Sequence, residues 1–121
     1  MSLNESALNP LEGITGFAAA YVYLGSGETL ISKTNQDMKD ANIGGLAVEL
    51  YRAAKIISDR MGLGVANFVE VHTEHYIFIH TCVIPGAAAM AVIVSKDGNL
   101  GLMKHEMVKI AKSLEPEFKE S

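Results

Sequence analysis

The chain of 121 residues has no tryptophan, one cysteine, three prolines and only two arginines, Arg52 and Arg60. A single Cys82 forms no internal disulfide, and its neighbours in "HTCVIPG" make it a small buried hydrophobe rather than an activated thiolate. With two arginines among ten scattered basic residues and a net charge of −4, no basic stripe exists to neutralise a phosphate backbone, so nucleic acid is a poor partner. No apolar run reaches bilayer length, which argues against membrane insertion, and "MSLNESALNP" lacks the basic, apolar, then small-residue order of a signal peptide. A soluble cytoplasmic protein is expected. Neither "GxxxxGK" nor "GxGxxG" occurs, which removes the usual phosphate-cradling loops.

What is present is apolar: 49% of residues are hydrophobic and 20% are charged, a balance suited to one compact core. Residues 1–11 read as an arm or short helix, and residues 12–121 as one domain. "ITGFAAAYVYL", the turn residues "GSGE" and "TLISK" predict a β-hairpin over Gly16–Lys33. The Ala run at Ala18–Ala20 is poor strand material unless a helix packs closely over it. "IGGLAVELYRAAKIISDRMG" predicts a long helix started by Asp37 or Asp40 and ended by Gly62. At about 100° per residue, Ile43, Leu46, Ala47, Leu50, Ala53, Ala54, Ile57 and Met61 form a broad stripe, expected to face the core. Gly44, Val48 and Tyr51 form a second apolar flank, interrupted by Lys55 and expected to face another chain.

"VANFVEVHTEHYIFIHTCVI" predicts two more strands joined at "HTEH", and "AAAMAVIVS" a fifth whose continuous apolarity implies burial on both faces. "LGLMKHEMVKIAKSLEP" predicts a final helix burying Leu100, Met103, Met107, Ile110, Ala111 and Leu114 and stopped by Pro116. The order lacks strand and helix alternation, so a five-stranded antiparallel sheet with helices packed on it is expected. The first and fifth strands belong at its centre, and the second and third at its edges. An edge as apolar as "VANFVEV" recruits another chain if left bare.

Few residues suggest chemistry. His72, His75, His80 and Cys82 are the only clustered metal ligands, without the four closely spaced donors of a structural zinc site, and no metal or cofactor is expected. Cys82 beside His80 lacks an orienting carboxylate, and Glu28, Glu49, Glu70, Glu74 and Glu106 fall on separate elements, so an enzyme is not expected. A small-ligand sensor with a pocket between sheet and long helix is the competing reading. The small side chains Ala18–Ala20 and Ala87–Ala89 argue for close packing instead.

From "ITGFAAAYVYLGSGETLISKT" through "GGLAVELYRAAKIISDRMGLG" to "FVEVHTEHYIFIHTCVIPGAAAMAVIVSKDGNLGLMKHEMVKIAKSLE", about residues 12 to 115, the sequence resembles a Roadblock domain of the dynein light chain type. The first turn departs from the family's "DG" pattern. The resemblance implies a profilin-like α/β (α+β) sandwich with the long helix on one face of the sheet and the shorter terminal helices on the other. It also implies a homodimer closed through the third strands and long helices. Such proteins regulate or scaffold small Ras-like GTPases and other nucleotide-hydrolysing motors, and have no nucleotide site of their own. Joined to the apolar flank and bare edge, this makes Gly44, Val48, Tyr51, Arg52, Lys55, Ala66, Phe68 and Glu70 the candidate dimer and partner interface. Arg52 or Arg60 would be the arginine finger if hydrolysis is stimulated in trans.

Overall fold

The computed structural model describes residues 3–35, 38 and 43–119. A 3₁₀ turn at Glu5–Leu8 leads into a one-turn helix α1, Asn9–Glu12. Strands β1 (Phe17–Leu24) and β2 (Thr29–Thr34) form the first hairpin. Helix α2 (Ile43–Met61) precedes β3 (Val69–His72), β4 (Tyr76–Ile84) and β5 (Ala88–Ser95), and α3 (Leu100–Lys119) closes the order. The expected start of α2 at Asp37 or Asp40 lies outside the described residues.

All strand pairs are antiparallel and the sheet order is β2-β1-β5-β4-β3. The two apolar, alanine-rich strands, β1 and β5, are interior, and β2 and β3 are the edges, as the burial argument predicted. β3 is shorter than expected: pairing begins only at Val69, and Val65–Phe68 approach it without joining the ladder.

Side chains alternate between two layers along each strand. On one face Ala20, Val22, Ile77, Ile79, Met90, Val92 and Val94 meet Leu8, Leu11 and the α3 residues Met103, Met107, Ile110, Ala111 and Leu114. This is the larger core, and its methionines are fully buried. Asn99 starts α3 by accepting the Leu102 amide on its Oδ1 at 3.1 Å. Asn99→Ala is expected to cost about 1 kcal/mol, read as a lower urea midpoint at unchanged slope.

Pro116 does not stop α3, which continues to Lys119. A proline removes the hydrogen bond of its own nitrogen, and with three residues following it the loss is confined to the last turn.

The second layer is thin. Ala19, Tyr21, Tyr23, Ala89 and Ala91 of the sheet meet α2 chiefly through Ala47, with Ile43, Val48, Phe78 and Ile93 packed around them. Gly44 is buried here because a side chain at this position would overlap the Gly27 carbonyl oxygen and lie 3.2 Å from Cβ of Tyr23.

The expected core stripe of α2 is therefore only partly right, with Ile43 and Ala47 packed on the sheet as expected and its larger members turned away. Gly44, Ala47, Val48 and Tyr51 turn toward the sheet, whereas Leu46, Ile57 and Met61 of the expected core stripe are 67%, 55% and 69% exposed. The reason is volume. Two tyrosines rising from β1 fill the layer, leaving room only for the helix face with small residues and one planar ring.

Candidate functional site

Between α2 and the sheet lies a cavity of about 210 Å³ lined by Leu24, Val48, Tyr51, His80, Cys82 and Ala89, with Arg52 and Lys55 on its α2 side. Strand register explains it. Ala89 stands between Tyr23 and Cys82, and Ala91 between Tyr21 and His80. The central strand thus presents only methyl groups at these positions, where its neighbours present large side chains, and this leaves space beneath the helix. The expectation that Ala87–Ala89 would exclude a cavity is corrected: short side chains under a helix fill the space only if the helix descends to meet them, and the tyrosines hold it off.

Tyr23 reaches diagonally across the alanines to hydrogen-bond Nδ1 of His80. Both side chains are buried, His80 at 2% exposure, and the Tyr51 ring lies 5.1 Å from the imidazole, centroid to centroid. Burial lowers the His80 pKa to about 4, so the ring is neutral near pH 7. Burial also raises the Tyr23 pKa, so its hydroxyl keeps its proton at neutral pH. With the Tyr23 hydroxyl donating to Nδ1, the arrangement that leaves the fewest groups unpaired, the imidazole proton is on Nε2, and that buried atom has no hydrogen-bond partner among the described residues.

Cys82 is half-buried and its thiol is raised by burial, partly offset by a hydrogen bond with Tyr51. That bond, followed by burial, raises the Tyr51 hydroxyl to about 12. Neither group is an activated nucleophile at neutral pH.

The neutral state of His80 has a measurable consequence. Its ordinary value is 6.5 and its folded value about 4, so the unfolded chain binds the extra proton first as pH falls. Stability present above pH 6.5 is expected to decline between pH 6.5 and 4. In His80→Phe that decline disappears, and what remains is the loss from Glu70, held below its ordinary 4.5 by its bonds to Lys104 and His72, which sets in as pH falls through 4.5. Urea unfolding across this pH range checks both.

The other sequence candidates scatter. Arg52 bonds Glu49 at 2.6 Å and Lys55 bonds Asp59 at 2.8 Å, both as exposed pairs along α2. Ala66 lies in the approach to β3 and lines a neighbouring surface groove. Phe68 packs toward the α3 layer beneath Lys104, whose Nζ is 5.3 Å from its ring centroid, and Glu70 binds the same Lys104 at 2.7 Å. Val48, Tyr51, Arg52 and Lys55 thus gather at the cavity, whereas Ala66, Phe68 and Glu70 do not. His72 and His75 lie at the β3–β4 turn, and among the described residues no three metal-ligating side chains converge.

Sequence reasoning missed the Tyr23–His80 pair. The alternation in "YIFIHTCVI" does place Phe78, His80 and Cys82 on one face. What it does not reveal is that Tyr23, 57 residues away, is brought over two short alanines.

No protein-family model and no curated protein matches the chain. Solved structures do: a Roadblock/LC7 domain from Streptomyces avermitilis superposes with a TM-score of 0.83 at 18% identity, over 93% of this chain and 95% of that one. The chain has the Roadblock fold. MglB from Myxococcus xanthus gives a TM-score of 0.83 at 14% identity, covering 97% and 95% of the two chains. Acanthamoeba castellanii profilin II follows at a TM-score of 0.52 and 13% identity, covering 84% and 87%, in keeping with the profilin-like sandwich expected for this Roadblock fold. Among the described residues, no helix is long and apolar enough to cross a membrane.

Proposed function

We propose that this Roadblock-fold chain is a non-enzymatic, cytoplasmic homodimer that regulates or scaffolds a small Ras-like GTPase. The observation that carries the reading is the outer face of α2. Leu46, Leu50, Ala53, Ile57 and Met61 recur at spacings of four, three, four and four, the repeat of a helix seam, and the largest of them are exposed. Leu63 and Val65 extend the patch beyond the helix. Isolated exposed hydrophobes are ordinary, but a continuous stripe of this length marks an interaction surface.

The dimer therefore closes on this stripe rather than on Gly44, Val48 and Tyr51, with the short edge strand β3 pairing to its symmetry mate. MglB, which shares the fold, occurs in a tetrameric arrangement, and assembly beyond the dimer is compatible with the exposed Leu102 and Val108 of α3. The GTPase reading rests on the Roadblock resemblance.

The test is affinity capture on the immobilised protein from native extract, loaded in parallel with a non-hydrolysable GTP analogue or with GDP. Retention of a Ras-like GTPase in one nucleotide state is expected, and no nucleotide-dependent retention would overturn the reading. If the captured GTPase is accelerated, Arg52→Ala separates an arginine finger from stabilisation of the partner's own loops. Exposure and an easily exchanged Glu49 partner leave Arg52 free to engage phosphate.

A further inference from the structure

The cavity beneath α2 is not absorbed by a dimer closed on the opposite side of the helix. Its walls are mostly apolar, from Leu24, Val48 and Ala87–Ala89, and they include His80, whose Nε2 is, among the described residues, the buried side-chain polar atom left without a partner. A buried polar atom without a partner keeps its desolvation cost uncompensated. The fold makes this cost specific: Tyr23 occupies Nδ1, and with its hydroxyl as the donor the remaining imidazole proton on Nε2 is unpaired. A histidine serving only to fill the layer has no need of that arrangement, and phenylalanine would fill the same space without it.

We infer that this cavity binds a small apolar carboxylate, one carboxylate oxygen accepting the hydrogen bond from Nε2 of His80 while the hydrocarbon part lies against Leu24, Val48 and the alanines. Size supports a small ligand, because about 210 Å³ is below the roughly 300–1,000 Å³ of pockets for drug-sized molecules. Charge supports an anion. Arg52 and Lys55 line the α2 side, and their bonds to Glu49 and Asp59 are exposed surface pairs of little strength, which an entering carboxylate can share or displace.

The test uses the isotope-labelled full chain at neutral pH, titrated with benzoate, with its neutral counterpart benzamide and with benzylamine, which offers no anion. Benzoate is expected to move the resonances of Leu24, Val48, Tyr51 and Ala87–Ala89 saturably and to shift the Nε2 proton of His80. Benzamide should bind at least fivefold more weakly and benzylamine not at all. His80→Phe should weaken benzoate at least tenfold. Ala87→Leu, at an exposed position on the rim, should block the cavity without touching the core, and it carries the test if His80→Phe does not fold. Absence of saturable shifts, equal affinity for benzamide, unchanged affinity in Ala87→Leu, or an Nε2 proton that stays on a long-lived water at saturating benzoate would each overturn the proposal.

Discussion

A chain carrying both Leu46→Asp and Ile57→Asp is expected to sediment at the 13.0 kDa of one copy, and the unaltered protein, as the proposed dimer, is expected to sediment at about twice that mass. Both positions lie on the outer side of α2 and make little contact with their own sheet, so the substitutions leave the two intramolecular cores untouched. Burying a leucine or isoleucine between copies stabilises the assembly by about 1.5–3 kcal/mol each. Two unpaired carboxylates in the same seam reverse that sign, because a desolvated charge without a partner is disfavoured. A weakening of about 4 kcal/mol or more corresponds to roughly a thousandfold in dissociation constant, enough to separate the copies at micromolar concentration. Urea unfolding of the separated chain distinguishes lost association from lost folding. Tyr51→Asp gives the contrasting result: its ring lies on His80 beneath the helix, so stability falls while the seam residues remain in place. A double variant that stays dimeric would remove the outer α2 face from the interface.

That contrast shows how far the sequence could be read. Periodicity showed that α2 is apolar on two sides but grouped Ile43 and Ala47 of the sheet side with Leu46, Ile57 and Met61, and it does not assign faces to neighbours. The choice between them was made by Tyr21 and Tyr23, residues of another element, whose bulk admits only Gly44, Ala47 and a flat ring opposite. In α3 the same reasoning succeeded because a single apolar face exists there, and Met103, Met107, Ile110, Ala111 and Leu114 had one place to go. Strand order was legible for a related reason: β1 and β5 are apolar on both faces and tolerate only interior positions. The cavity was not legible. Alanine reads as close packing when its neighbours are unknown, and as empty space once Tyr23 and His80 are seen on either side of it.

Gly44→Val is expected to destabilise the fold by about 3 kcal/mol, the upper part of the range for overpacking. The collision is between two stretches of backbone. A Cβ at Gly44 overlaps the carbonyl of Gly27, and a Cβ at Gly27, whose φ is +97°, would come within 2.9 Å of Cα of Gly45. Neither partner is a side chain that can rotate away, so the start of α2 must rise from the β1–β2 turn. Ala47, one turn on, then leaves the tyrosines, and Tyr51 leaves His80. The sign is diagnostic, because in an open helical site the replacement of glycine favours folding. Gly101→Ala in α3 provides the control: its nearest neighbour beyond the helix backbone is Oδ1 of Asn99 at 4.0 Å, and a gain of up to about 1 kcal/mol is expected. Opposite shifts of the urea midpoint in the two variants would establish that Gly44 is required by contact rather than by flexibility. A stable Gly44→Val chain would mean that α2 stands clear of the hairpin, and the cavity beneath it would then be wider than 210 Å³.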